Sequence, residues 1–335
     1  MNRLRIGVGA AVVLAVVVGL LVWFAPLGGA ARPGELFEAT FQATGKTARV
    51  MLPGDRALDI TVGKPERDIE RGDQNGYPID DEKTERGNRI VPVSWRVVNG
   101  NRAESLLPRV TLVSDGRRYA LPVTEEGEHT LAGARNWFVV VEGKARELSV
   151  EVEYDGLVQV MDVEKQEIDA GVAAPLYESP GVAGLLSERA CTFEGPDGGG
   201  ETNEGFSCEI ENVLVTPYLP ALGWVEEEGS TWIVLDVFDR YPPTFDIRGE
   251  GGTYGYYRIS GKRSMTLGGA EPVEVLNPET SGGYVRGRYV FLSRGAPEDL
   301  ALDRTYAGKL VSGDGSPAEE IRFSGSLRTK APREG

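Results

Sequence analysis

The chain has 335 residues, of which 51 are acidic and 36 basic, giving a net charge of −15 and a pI near 4.8. A surface this acidic repels nucleic acid and anionic headgroups, which argues against a nucleic-acid-binding role. It keeps an exported protein soluble and can attract cations or a basic partner.

The first element is an uncharged apolar run, Ile6 to Phe24, preceded by Arg3 and Arg5 and followed by Pro26, Gly28 and Gly29. A helix of that length nearly spans a hydrocarbon core of about 30 Å. Trp23 and Phe24 suit an interfacial aromatic belt, so the run reads as a transmembrane anchor. A cleaved signal peptide is the alternative, with Gly28-Gly29-Ala30 as its cleavage site. The positive-inside rule places the N-terminus in the cytoplasm and the bulk outside under either reading. Gly7, Ala11, Ala15 and Gly19 lie on one helix face, a spacing that also arises in any Gly- and Ala-rich chain.

Ala25 to Lys46 is rich in Gly, Ala and Pro and reads as a stalk. Beyond it the pattern alternates with period two. Runs at Leu58–Val62, Val91–Val97, Leu107–Val113, Arg118–Pro122, Trp137–Val141, Leu148–Tyr154 and Leu157–Val163 predict strands of a β-sandwich or barrel. Glu164–Glu188 loses the alternation and reads as a linker, with one helical turn near Val182–Arg189. Strands resume at Cys208–Val215, Thr231–Phe238, Tyr254–Ser260, Tyr284–Ser293, Leu300–Tyr306 and Glu320–Ser324. Cys191 and Cys208, separated by 17 positions, are expected to form a disulfide in an oxidising compartment.

The two halves are related. WFVVVEGKARELSVEVEYDG (Trp137–Gly156) aligns without a gap with YVFLSRGAPEDLALDRTYAG (Tyr289–Gly308). Trp137 meets Tyr289, Leu148 meets Leu300, and Tyr154-x-Gly156 meets Tyr306-x-Gly308. Upstream, Leu58–Pro65 matches Ile210–Pro217, and each is followed by a polar loop, a glycine and a long strand. A tandem repeat of one β-domain is therefore expected. The expected division is a cytoplasmic N-terminus (1–5), a transmembrane anchor (6–24), a stalk (25–46), a first β-sandwich domain (47–164), a linker (165–188), a second β-sandwich domain (189–327) and a tail (328–335).

A short strand, an acidic loop, Glu-x-Gly and a long strand ending at Asn or Asp occur in both halves, around GNRIVPVSWRVVN and EGSTWIVLDVFD. This order resembles the immunoglobulin-like extracellular domains of Gram-positive membrane-anchored proteins, often called telomeric-repeat-binding-factor-like. The resemblance implies two tandem immunoglobulin-like β-sandwich domains after an N-terminal transmembrane helix. It implies a surface interaction or structural role and transfers no catalytic residues.

Catalytic equipment is sparse. His129, the single histidine, lies in a turn-like segment without a Cys or Ser elbow to partner it. Acidic groups at Asp80-Asp81-Glu82, Glu125-Glu126, Glu226-Glu227-Glu228 and Glu319-Glu320 sit in polar segments, where like charges are usually solvated. Calcium binding there, or glycosidase chemistry, follows no recognised spacing. No catalytic residue, metal ligand or cofactor is assigned. Trp224, Tyr254, Tyr256 and Tyr257 are the candidate ligand-binding residues, since exposed aromatic faces stack on sugars or anchor protein partners; the alternative is that alternate members of the cluster, such as Trp232 and Tyr257, fill the core. The expected role is non-catalytic recognition or scaffolding at the cell envelope. The membrane is one partner, through the N-terminal helix, and a protein or a cell-wall glycan the other.

Overall fold

The computed structural model describes residues 30–39, 42–54, 56–72, 78–98, 107–122, 135–178, 189–193, 201–202, 206–249, 252–294, 299–312 and 320–330. The expected anchor at 6–24 lies outside them. Among the described residues no helix is long and apolar enough to cross a membrane. They form antiparallel sheets and one short 3-10 helix, so the chain is all-β as its alternation predicts.

The first half runs β1 (Leu36–Glu38), β2 (Gly45–Leu52), β3 (Arg56–Gly63), β4 (Asp68–Gly72), β5 (Pro78–Lys83), β6 (Arg89–Val98), β7 (Arg109–Ser114), β8 (Arg117–Ala120), β9 (Arg135–Val141), β10 (Leu148–Tyr154), β11 (Leu157–Asp162) and β12 (Glu167–Asp169). One sheet has the order β1-β9-β6-β3-β2 and the other β12-β11-β10-β7-β8. Alternation puts every second side chain on one face. Leu58, Ile60, Val62, Val91, Val93 and Trp95 from the first sheet thus share a core with Val110, Leu112, Val150, Val152 and Met161 from the second. The hairpin β4–β5 brings Ile69 to the outer face of the first sheet, against Ile90, Phe138 and Val140.

Three boundaries differ from the sequence expectation. Leu36–Glu38, within the expected stalk, is an edge strand paired with β9, and Ala31 bridges Thr84. Within the expected linker, β12 pairs with β11, and the 3-10 helix Gly171–Tyr177 packs on the first sandwich. Its Tyr177 hydroxyl accepts from Met51 N and donates to Gln159 Oε1, closing the side where β2 and β11 meet. The expected tail begins inside a strand that reaches Lys330. β1 and β12 lack long alternation because they are three-residue edge strands, which need backbone partners more than a buried face. Of the helical turn expected near Val182–Arg189, 182–188 lie outside the described residues and Arg189 begins a strand.

The second half runs β13 (Arg189–Ala190), β14 (Thr192–Phe193), β15 (Glu201–Thr202), β16 (Ser207–Thr216), β17 (Tyr218–Leu219), β18 (Gly223–Trp224), β19 (Thr231–Arg240), β20 (Thr244–Gly249), β21 (Gly252–Leu267), β22 (Glu274–Ser281), β23 (Tyr284–Ser293), β24 (Asp299–Ser312) and β25 (Glu320–Lys330). Its sheets are β13-β16-β19-β23-β22 and β14-β25-β24-β21-β20-β15. Ile210, Val213, Ile233, Leu235, Val237 and Phe291 meet Met265, Leu267, Leu300, Leu302 and Leu327 between them. The chain crosses between the sheets at Cys191, where the Cys191–Cys208 disulfide ties the crossover to β16.

Strand pairs of the two halves share registers. Val93 pairs with Trp137, and Leu235 with Tyr289. Val150 pairs with Leu112, and Leu302 with Met265. Each half also inserts a hairpin at the same point, β4–β5 after β3 and β17–β18 after β16.

The second of these hairpins joins the two halves. Its Leu219 packs on Val234 and Val290 of the second sandwich. Tyr218 and Trp224 pack into the core of the first, their rings 5.5 and 6.3 Å from Tyr154. Trp224 Nε1 donates to the Tyr154 carbonyl at 2.9 Å, and Arg56 Nη2 donates to the Tyr154 hydroxyl at 2.8 Å.

Outer faces carry cross-strand ion pairs. Asp59 accepts from Arg49 and Arg96, and Asp236 from Arg288, which holds both carboxyls below their ordinary range. A depressed carboxylate contributes stability above its unfolded pKa, and that contribution is lost as pH falls through the folded value. Stability should therefore decline below about pH 4. The double variant Asp59→Asn/Asp236→Asn should show a shallower decline, measured by urea unfolding across that range. Trp224→Ala removes a half-buried indole and its hydrogen bond, at a cost of about 2–3 kcal/mol. In urea it should split unfolding into two transitions as the halves uncouple.

Candidate functional site

The aromatic residues singled out from the sequence do not gather on one exposed face. Trp224 is the junction residue described above. Tyr256 is buried and stacks on Phe245 at 5.8 Å, and burial pushes its phenol up. Tyr254 packs half-buried against the same cluster. Tyr257 alone is open, with 53% of its surface exposed. Neighbours in a strand point to opposite faces, so Tyr256 and Tyr257 cannot share one surface. The core alternative names Tyr257, whereas the buried member of the pair is Tyr256. Cys191 and Cys208 are joined as expected, with Cys208 fully buried.

His129 and Glu125-Glu126 lie outside the described residues, and so does Glu319. Among the described residues no group of three or more His, Cys, Asp or Glu side chains could hold a metal ion.

A concave site lies elsewhere on the second sandwich, where Tyr241 faces the middle of β21. Tyr241, Arg258, Ser260, Gly261, Arg263 and Tyr306 line a cleft of about 210 Å³. The Arg258 guanidinium lies 4.0 Å from the Tyr241 ring centroid and that of Arg263 lies 5.3 Å away, so one ring orders two cations. The Arg258 amide donates to the Pro243 carbonyl at 2.9 Å and fixes the backbone there.

The strand geometry that brings these arginines together is unusual. Residues five apart in a regular strand face opposite ways. Between Arg258 and Ser260 the β21–β24 register shifts, so Arg258 pairs with Gly308 and Ser260 with Ala307. This bulge restores the parity and lets Arg258 and Arg263 both face Tyr241. Gly261 leaves room for the Tyr306 ring, which would lie only 3.2 Å from an added Cβ.

Behind the cleft is a buried polar cluster. Arg304, 1% exposed, donates through Nε to Asp239 Oδ2 at 2.8 Å and through Nη1 to the Asp303 and Ser264 carbonyls. The Tyr306 hydroxyl donates to Asp239 Oδ1 at 2.8 Å. Burial, reinforced by the Asp239 charge, pushes the Tyr306 phenol far up, so it remains the donor. Arg263 Nε lies 3.7 Å from the same carboxylate.

The first sandwich shows what the frame needs without this chemistry. By register, Asp239 corresponds to Val97, Arg263 to Val110 and Arg304 to Val152. Three valines serve there. The sequence did carry a signal for the cluster: Leu300, Leu302, Arg304 and Tyr306 alternate on one face, with a charge where the matching half has valine.

No known protein family, curated protein or solved structure matches the chain.

A buried ion pair is often no more stable than the apolar residues that could replace it, whereas removing one partner strands the other. Asp239→Asn should accordingly cost about 3–5 kcal/mol in urea unfolding. The triple variant Asp239→Val/Arg263→Val/Arg304→Val, which copies the first sandwich, should lose far less than Asp239→Asn alone.

Proposed function

We propose that the chain is a non-catalytic, membrane-anchored extracellular protein acting in recognition or scaffolding at the bacterial cell envelope. In this reading it has two tandem immunoglobulin-like domains after an N-terminal transmembrane helix, with the N-terminus cytoplasmic. The observation that carries it is the aromatic junction of Tyr154, Tyr218 and Trp224. A hairpin that is rooted in one sandwich and packs in the core of the other resists independent swinging, as a spacer or scaffold requires. Support for export comes from the apolar run after Arg3 and Arg5 and from the Cys191–Cys208 disulfide, a bond typical of oxidising compartments.

A second reading is a carbohydrate-binding module for cell-wall or extracellular glycan. It is favoured by Tyr257, whose ring is open to solvent on the strand that carries Arg258 and Arg263. Saturable co-sedimentation of the full chain with isolated cell wall, abolished by Tyr257→Ala, would put this reading first.

Protease added to intact bacterial cells producing the full chain should digest the two sandwiches and leave a membrane-embedded N-terminal fragment. Protection of the sandwiches in intact cells, with digestion only after lysis, would overturn the extracellular assignment.

A further inference from the structure

We propose that the cleft between Tyr241 and the bulged segment of β21 binds an oxyanion, a phosphate or carboxylate group, held between the Arg258 and Arg263 guanidiniums. The inference goes beyond the envelope role and does not depend on it.

Charge balance is the first argument. Two guanidiniums, those of Arg263 and Arg304, share one carboxylate, Asp239, and a third, that of Arg258, joins Arg263 at the Tyr241 ring. Both Asp239 oxygens are already taken, one by Arg304 and the other by Tyr306. Arg263 therefore keeps donors to spare, and among the described residues Arg258 has no ion-pair partner. In a chain with a net charge of −15, such a local cationic excess is poorly explained by solubility.

Geometry is the second argument. A guanidinium offers a planar fork of donors that matches the two oxygens of a carboxylate or phosphate. Stacking on Tyr241 holds the forks in place before a ligand arrives, which lowers the ordering cost of binding. The Arg263 side chain is about one-third exposed and Ser260 is exposed, so the donors open to solvent. The cleft is smaller than the usual drug-sized pocket of about 300–1,000 Å³, which suits an anionic group rather than a whole polymer.

The internal repeat is the third. The same fold closes with Val97, Val110 and Val152 in the first sandwich, so neither the pairing of strands nor the core requires charges at these positions. Bulges that re-aim side chains are frequent beside binding sites, and the bulge at Arg258–Ser260 is what turns both arginines toward Tyr241.

The test is calorimetric titration of the full chain in a non-ionic detergent, at fixed ionic strength, with glycerol 1-phosphate and with glucuronate. Glycerol and glucose are the neutral controls. Saturable binding of either anion, but of neither neutral control, is expected; which anion binds names the source as phosphate or carboxylate. Arg258→Gln and Arg263→Gln should each weaken it roughly tenfold or more, the loss expected for a charged hydrogen-bond donor. Arg109→Gln, in the first sandwich, should leave it unchanged. Arg258→Lys, which keeps the charge but not the fork, should bind more weakly than the parent while melting at the same temperature. Absence of binding by both anions, or binding unaffected by the two Gln variants, would overturn the site.

Discussion

Period-two alternation is the constraint on which the rest of this structure depends. A strand has two faces, and each sandwich assigns one to the inter-sheet core. In the first half, Leu58, Ile60 and Val62 face Val150 and Val152 across that core. In the second, Ile233, Leu235 and Val237 face Leu300 and Leu302. Burying these aliphatic side chains, at about 25 cal/mol per Å² of apolar surface, supplies most of the favourable energy. Any departure from the alternation therefore needs a local reason. One such departure is the Arg258–Ser260 bulge in β21, and it coincides with the concave cationic site described above.

The two halves use the same frame for different ends. In the first, Tyr154 lies at the close of β10, takes a hydrogen bond from Arg56 and presents its ring and carbonyl to Trp224. Its counterpart Tyr306 lies in β24, donates to buried Asp239 and lines the cleft instead. One tyrosine of the repeat thus became a joint between sandwiches and the other a wall of a site. The hairpin inserted after β16 followed a similar course: its counterpart β4–β5 only caps a sheet, whereas β17–β18 caps one sandwich and locks into the other.

Much of the frame was legible in the sequence because alternation and the repeat act over short distances. The alternation marks Leu148–Tyr154 and Tyr284–Ser293 with the bounds the strands have, and Trp137 and Tyr289, aligned in sequence, occupy matching places in the strand registers. Edge segments such as Leu36–Glu38 and Glu167–Asp169 were missed, since they are three residues long and need no apolar face. The aromatic candidates Tyr256 and Tyr257 part to opposite faces for a related reason. Parity decides that Tyr256 points in and Tyr257 out, and parity near a bulge depends on the partner strand. Arg258 and Arg263 were hidden likewise, because their odd spacing predicts opposite faces until the extra residue is known.

Anomalous diffraction from crystals of the full chain soaked in a heavy oxyanion such as selenate or tungstate would test this account most directly. The account predicts a peak beside Tyr241 between Arg258 and Arg263, with none at the matching Val110–Val152 position of the first sandwich. An empty cleft in crystals that hold the anion elsewhere would contradict it.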